Sequence, residues 1–332
     1  MQLMDFGDPP TFAFREVPDP VAGPGEVIVE LRAASLNRRD PWIWTTPAYC
    51  PVPVTLGSDG AGVVVERGRG VTSPALGDEV VIYPTIGWPD GAELPGDGFD
   101  ILGGPTEGTF AERVRVPATS TFPRPQRLSW VEAGALPLAG LTAWRALFTC
   151  GGVTRGTRLL VTGAGSGVAT FLVQLAVAAG ATVAVTTGSE AKATAARELG
   201  AETAVLYGDD RWPDAIAAVG ELDVVVDSFG GASFATALPL LRRGGTFVSF
   251  GDTGGPATTF DVAEVYWQWR SIVGTSMGSP QEFRALLAHV SDALWRPVID
   301  SVFPLEGLPA AAERLNCRDR RGKVAIEIGT NR

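Results

Sequence analysis

Between Arg158 and Thr275 the chain alternates short apolar runs with helical stretches, and this limits the possible folds more than any other feature. Six runs read as strands: Arg158–Thr162, Thr182–Thr186, Thr203–Tyr207, Leu222–Asp227, Thr246–Phe250 and Ser271–Thr275. Most are nearly continuous apolar segments, such as Leu222-Asp-Val-Val-Val-Asp227. Such runs suit strands covered on both faces in a parallel sheet. Helices fill the gaps over Val168–Ala179, Glu190–Leu199 and Phe234–Leu241. Gly180, Gly200 and Gly244 stand at or near their ends, where glycine turns left-handed without steric cost. The alternation predicts an α/β fold with a doubly wound parallel sheet of the Rossmann type.

The first strand of this series leads into a glycine-rich turn and then a helix: Leu159-Leu-Val-Thr-Gly163-Ala-Gly165-Ser-Gly167-Val-Ala169. Glycines let the backbone turn sharply and approach a pyrophosphate, and the helix N-terminus adds free N–H groups and partial positive charge. The candidate cofactor residues here are Gly163, Ala164, Gly165, Ser166, Gly167 and Val168. The spacing departs from G-x-G-x-x-G, since Val168 holds the third glycine position. Such turns are common between strand and helix. The place of this one at the first βα turn of a six-strand series is what makes it informative.

Cofactor choice turns on the end of the second strand. Sheets that bind NAD place an Asp or Glu there, about 20 residues on, to hold the ribose 2′-OH. Here the stretch is Thr186-Thr-Gly188-Ser189, and Glu190 is expected to start the next helix. Ser189, Lys192 and Tyr207 would instead line a phosphate pocket, which favours NADPH. A merely solvated lysine is the plainer reading of Lys192. Against it, the chain has 25 arginines and only two lysines, Lys192 and Lys323. The two cations bind phosphate differently, one as a planar fork and one as a compact charge.

The first stretch of the chain, to about residue 120, is β-rich. Gly25–Arg32 alternates apolar and polar residues, and Gly60–Glu66, Asp78–Tyr83 and Gly108–Val116 read as further strands. Residues 84–108 read as a long surface loop rich in Gly, Pro and Asp. Ser129 and Glu132 form a capping-box pair opening a helix, and a second helix is expected near Leu141–Leu147. A tail helix and a last strand, Lys323–Ile328, close the chain.

Composition limits the chemistry. The 332 residues carry 27 Lys+Arg against 37 Asp+Glu, a net charge of −10, with 45% hydrophobic residues. Length suggests about two domains. The apolar content argues against disorder, and the acidic balance against general binding to nucleic acid or anionic membrane. There is one histidine, His289, and three cysteines, Cys50, Cys150 and Cys317. A four-ligand zinc site of Cys and His would consume all of them, so no metal site is expected. Three scattered cysteines form no disulfide framework and fit a reducing cytoplasm. The residues Met1–Gly7 lack the pattern of a signal peptide, and no apolar run is long enough to predict a membrane span.

Nearly the whole chain resembles the medium-chain dehydrogenase/reductase superfamily, on its zinc-independent quinone oxidoreductase side. Ala34-Ser-Leu-Asn37-Arg-Arg-Asp40 resembles the family's S-x-N-x-x-D segment. Leu56-Gly-Ser-Asp59-Gly-Ala-Gly62 and Gly77-Asp78-Glu-Val resemble its G-x-E/D-x-x-G and G-D-x-V segments. Leu136-Pro-Leu-Ala-Gly-Leu-Thr142-Ala-Trp resembles the helix pair before the nucleotide-binding sheet. The order Gly188, Lys192, Tyr207 is similar to the family's NADPH site. Ser249-Phe250-Gly251 and Gly322-Lys323-Val are similar to its late cofactor contacts. The resemblance implies a GroES-like β-rich catalytic domain over 1–123 and 280–332, a Rossmann domain over 124–279, and an active cleft between them. It implies cofactor contacts at Thr142, Ser228, Phe250, Gly251 and Lys323, and a homodimer. Zinc-dependent relatives carry a Cys near Asn37 and a His near Ser58, and neither is present. Ser166 and Ala169 stand where many relatives have glycine.

Without metal, a carbonyl must be polarised by hydrogen-bond donors. Hydride transfer to an enone, enal, enoyl thioester or quinone suits such a site, because the developing anion is met by donors or water. Asn37 would orient substrate or nicotinamide, Asp40 would order its loop, and Tyr49 is the candidate proton donor. Turn capping explains Asn37 and Asp40 equally well. Core packing is the better account of Trp42 and Trp44. Three rivals stand beside this reading. Gly274-Thr-Ser276-Met-Gly278 matches a nucleophile elbow, but His289 follows too closely for a hydrolase sheet. No tyrosine has Lys four residues on, which argues against a short-chain dehydrogenase. A non-catalytic NADPH-binding sensor or partner subunit remains open.

Overall fold

The six apolar runs form a single six-stranded sheet, with every pairing parallel, in the computed structural model, which describes residues 1–329. The strands are β1 (Arg158–Val161), β2 (Thr182–Thr187), β3 (Thr203–Leu206), β4 (Leu222–Asp227), β5 (Leu241–Ser249) and β6 (Ser271–Gly274). Their order is β3-β2-β1-β4-β5-β6, so the direction of winding reverses between β1 and β4. Helices α1 (Gly167–Ala178), α2 (Glu190–Glu198), α3 (Trp212–Ala217) and α4 (Gly231–Ala237) cross between strands. Leu160, Ala184, Trp212, Val225, Phe234 and Phe247 pack into one core. Helix α1 is buried continuously from Ala169 to Ala176, which explains why it shows no polar stripe in the sequence.

Two boundaries differ from expectation. The helix expected over Phe234–Leu241 starts at Gly231 and ends at Ala237, and Leu238–Leu240 forms a 3-10 turn. Pro239 has no N–H to continue the ladder. Strand β5 begins at Leu241, five residues before Thr246, through an exposed Arg-Arg-Gly stretch with no apolar pattern to announce it. Helix α3 was not anticipated.

The chain folds into two compact units, Gly140–Gly278 and a second made of Met1–Ala139 with Ser279 onward. The sheet just described belongs to the first. The other unit is built on Glu26–Ser35, which pairs with Asp59–Arg67, Arg113–Pro117 and Lys323–Glu327. Lys323–Glu327 in turn carries Ile299–Pro304, so the tail of the chain completes the sheet begun by its head. Leu31, Leu36, Ile43, Trp44, Phe110 and Ile326 anchor its core. The sequence-derived boundary at residue 124 moves. Ser129 and Glu132 do form a capping box for the helix Trp130–Ala135. That helix packs on Glu26–Ser35, and Leu138 N–H donates to an Asp59 carboxylate oxygen at 2.7 Å, so 124–139 sits with the β-rich unit. The last three residues of the 280–332 segment lie outside the described residues.

The stretch 84–108 is more ordered than a surface loop. Thr85–Ile86 pairs with Asp100–Ile101, and Trp88 and Leu102 are buried. Strands of two residues are too short to show a periodicity. The helix Arg39–Trp44 was also hidden, being six residues long with a proline in its first turn. Among the described residues no helix is long and apolar enough to cross a membrane.

Candidate active site

Strands β1, β2 and β4 end side by side at the reversal of strand order, where sheets of this winding bind their ligands. Gly163 (φ 72°) and Gly165 (φ 106°) take left-handed angles that favour glycine. Strand β2 fixes the turn. Gly163 N–H donates to Thr186 Oγ1 at 3.3 Å, and Ala164 N–H donates to the Thr186 carbonyl at 2.8 Å. The Thr187 hydroxyl donates to the Ala164 carbonyl at 3.0 Å. Ser166 then caps α1, its Oγ accepting the Ala169 N–H at 3.2 Å. Gly167 and Val168 open the helix, and N–H groups at that point have no partner within it. The turn is therefore a cradle for an anion.

Lys192 lies across this cradle. A Cβ built on Gly165 would stand 2.8 Å from Lys192 Cδ, so the lysine stem packs on the bare glycine backbone. Ser189 caps α2, accepting the Lys192 N–H at 3.4 Å. Gly188 makes the same kind of room for Tyr207, whose phenol oxygen would be 2.4 Å from a Cβ there. The Tyr207 ring lies 5.7 Å from that of Phe229. Gly163 faces Ser228 and Phe229, and Gly251 lies against the Ser228 carbonyl. Phe250 N–H donates to the Asp227 carbonyl at 3.0 Å. Residues from four other segments thus gather around one turn, and the backbone donors with one nearby cation suit a dinucleotide. No carboxylate stands at the end of β2, where Thr187, Gly188 and Ser189 follow one another.

Two further expected cofactor contacts belong to other segments of the chain. Thr142 is buried in the helix Pro137–Trp144. Lys323 is in the β-rich unit, 2% exposed, and its Nζ donates to Asn37 Oδ1 (2.5 Å) and Asp59 Oδ2 (2.9 Å). Sequence reasoning missed Asp227, which ends β4. It accepts from the Thr162 and Ser233 hydroxyls and from Gly230 N–H, holding the loop beside the turn. Burial pushes its carboxyl above the usual range, against these donors. The signal was present, as an acid closing a run that is apolar over Val224, Val225 and Val226.

The second cluster lies wholly in the β-rich unit and contains Asn37, Asp40 and Tyr49. The Asn37 side chain is used at both ends, donating to Asp59 Oδ2 at 2.8 Å while its carbonyl accepts from Lys323. Asp59 also accepts from Ser35 and Leu138 N–H, so four donors meet one buried carboxylate. Asp40 is fully buried. One oxygen accepts the Asn37 N–H at 2.7 Å, and Oδ1 has no partner. Burial lifts its pKa to about 6, against the pull of that N–H, Arg39 and Lys323. The Tyr49 hydroxyl donates a hydrogen bond to Asp100 Oδ1 (2.9 Å) and accepts one from Arg39 (3.0 Å). Burial raises its phenol pKa, with Arg39 opposing. Arg39, which the sequence reading passed over, is the hub of this cluster. Its Nη1 donates to Ser58 Oγ at 2.8 Å, and both Nη groups reach carbonyls of residues 101–104.

The nucleophile-elbow match does not survive the geometry. The strained residue is Met277 (φ 58°), not Ser276. His289 belongs to the helix Pro280–Asp292 of the other unit, with its ring 6.1 Å from that of Trp295.

Comparison with known proteins points one way. Residues 23–126 match the family model described as "Alcohol dehydrogenase GroES-like domain", and residues 167–292 match "Zinc-binding dehydrogenase". The chain is 34% identical to the "Zinc-type alcohol dehydrogenase-like protein YogA" of Leptosphaeria maculans, over 94% of this chain and 93% of that protein. A solved structure described as an NAD-dependent alcohol dehydrogenase superposes with a TM-score of 0.89 at 34% identity, covering 99% of this chain and 100% of that one. The 2-octenoyl-CoA carboxylase reductase CinF, solved with NADP and 2-octenoyl-CoA, superposes at 0.86 with 26% identity, over 94% of this chain and 81% of that one.

The description of one matched domain names zinc, and the residues present do not fit that ion. Where zinc-dependent relatives carry Cys and His, this chain has the Asn37 amide and the Ser58 hydroxyl. The first is bonded to the Lys323 ammonium and the second to the Arg39 guanidinium. Neither group is a usual zinc ligand, and each already sits against a cation.

Proposed function

This chain belongs to the medium-chain dehydrogenase/reductase superfamily, and from that membership we propose that it is a zinc-independent, NADPH-dependent reductase of activated C=C bonds. Enoyl thioesters, enones and enals are the intended substrate class, with quinones as a further acceptor. The observation that carries the cofactor assignment is the lysine stem laid across Gly165, with no carboxylate at the end of β2. The relative solved with NADP and 2-octenoyl-CoA supports the substrate class.

Bound NADPH would supply hydride. The residues of this chain bind and orient it. Backbone N–H groups of the Gly163–Val168 turn hold the diphosphate, and Ser189, Lys192 and Tyr207 hold the ribose phosphate. Asp227 keeps the loop through Ser228 in place. In the β-rich unit Asp59, Lys323 and Asp40 hold Asn37 fixed. We place the protein in the cytoplasm, where free thiols such as Cys50, Cys150 and Cys317 persist.

Fluorescence titration with NADPH and NADH tests the assignment. NADPH should bind at least tenfold more tightly. Lys192→Ala should cost NADPH 10- to 100-fold, the worth of about 1.5–3 kcal/mol for a hydrogen bond to a charged group, and leave NADH nearly unchanged. Preference for NADH in the wild type would contradict it. That result would favour the second reading, an NAD-dependent alcohol dehydrogenase, which the solved structure of that description supports.

A further inference from the structure

Reduction of a conjugated C=C bond builds negative charge on the carbonyl oxygen. Hydride adds to the β-carbon, the π electrons shift, and an enolate forms that later takes a proton at the α-carbon. The oxygen needs a donor already in place, because preorganised donors cost no rearrangement as charge develops. Both donors expected from the sequence already hold other partners. Both polar ends of the Asn37 amide are bonded, and the Tyr49 proton is held by Asp100.

Arg39 differs from both. Its Nη1 is held by Ser58 Oγ (2.8 Å) and the Leu102 carbonyl (3.1 Å), and its Nη2 by the Tyr49 phenol (3.0 Å) and the Gly104 carbonyl (3.3 Å). The planar fork is therefore fixed. None of these partners is an acid, and no carboxylate pairs directly with Arg39 among the described residues. Asp100 is reached only through the Tyr49 hydroxyl. Nε–H makes no hydrogen bond among the described residues, and the side chain is half-buried, not sealed in the core. Other arginines also cap carbonyls, among them Arg127, Arg197 and Arg320, but these three meet no hydroxyl side chain.

We propose that Arg39 is the catalytic oxyanion donor of this reductase, binding the carbonyl oxygen of an enone or enoyl thioester through Nε–H. The assignment rests on the reductase reading above. Arg39 keeps its proton throughout, and the proton that reaches the α-carbon comes from solvent. Ser58, Tyr49 and the 101–104 carbonyls are positioning groups that hold the guanidinium.

Steady-state kinetics of Arg39→Gln, Arg39→Lys and Arg39→Ala with NADPH and an α,β-unsaturated ketone test the assignment. The Gln variant should lose 100- to 1,000-fold in kcat, the range seen when one oxyanion donor is removed, with NADPH binding by fluorescence unchanged. The Lys variant should keep part of the rate and lose it as its ammonium titrates at alkaline pH, a limb the wild type lacks. Added guanidinium should restore activity to the Ala variant, which a purely structural role would not allow. An active wild type with the Gln variant within threefold of its kcat would overturn the assignment alone. Equal losses in all three variants, without rescue and with lowered melting temperatures, would overturn it in favour of a structural role. A wild type inert toward every enone, enal and enoyl thioester would overturn the reductase reading, and the assignment with it.

Discussion

A single carboxyl shows how the β-rich unit is tuned. Asp40 is buried with one oxygen unpartnered, and its pKa stands at about 6 in the fold against an ordinary value of 3.8. A raised folded value favours the protonated form. That stabilisation is fully present below the unfolded pKa and is lost as pH rises through about 6. Above that pH the ionised group costs about 3 kcal/mol, at roughly 1.4 kcal/mol per unit. Asp40→Asn should therefore stabilise the protein at pH 8 and do so less at pH 5.5, as read by urea denaturation at the two values. A variant less stable than wild type at pH 8 would contradict this account of Asp40. The sequence marked Asn37 and Asp40 but left turn capping and catalysis equally open. Their partners explain why. Lys323 lies 286 residues from Asn37, and Asp59 lies 22 away, so the network exists only after the tail strand pairs with Glu26–Ser35. Composition singled out Lys323, and its neighbours are a carboxylate and an amide of its own unit.

At the scale of elements, the glycine turn before α1 was legible and the short pieces were not. Strands β1 to β4 and helices α1 and α2 each bury most of a face, and burial writes periodicity into sequence. The helix Arg39–Trp44 and the ribbon joining Thr85–Ile86 to Asp100–Ile101 are too short to show any period, although they supply Arg39 and Asp100 to the second cluster. The departure from G-x-G-x-x-G left the turn uncertain in sequence. Its backbone resolves part of that, since Gly165 is required twice. Its φ of 106° excludes a side chain, and its open face takes the Lys192 stem. Gly165→Ala should destabilise the protein by about 1–3 kcal/mol, the cost of a residue in a sparsely populated backbone region. It should also weaken NADPH binding at least tenfold by displacing Lys192. Thermal melts and fluorescence titration would measure the two effects, and unchanged affinity would detach Lys192 from the cofactor.

For the whole molecule, the fold was read well from sequence because two long-range patterns, parallel strands and a returning tail, each left a local trace. The edge strand of the Rossmann sheet was legible as Ser271–Thr275, but the exposed aromatic segment before it showed no pattern. Strand β6 closes one side of the sheet with Ile272 40% exposed, and Tyr266, Trp267 and Trp269 lie just before it, each at least 60% exposed. Unpaired strand edges flanked by exposed apolar groups invite pairing with another chain. We propose that two copies associate there. Light scattering should give the mass of two chains for the wild type and of one for Ile272→Lys, whereas a monomeric wild type would contradict the proposal.

The central claim is hydride transfer from NADPH to an activated C=C bond. It is tested most directly by following NADPH absorbance while the protein is offered 2-enoyl thioesters, enones and quinones in turn, with NADH run in parallel. The account predicts that NADPH is consumed with at least one enoyl thioester or enone, that the product has lost its C=C bond, and that NADH supports the reaction far less well. Oxidation of NADPH by none of these acceptors, or turnover only with NADH and a simple alcohol or aldehyde, would contradict it.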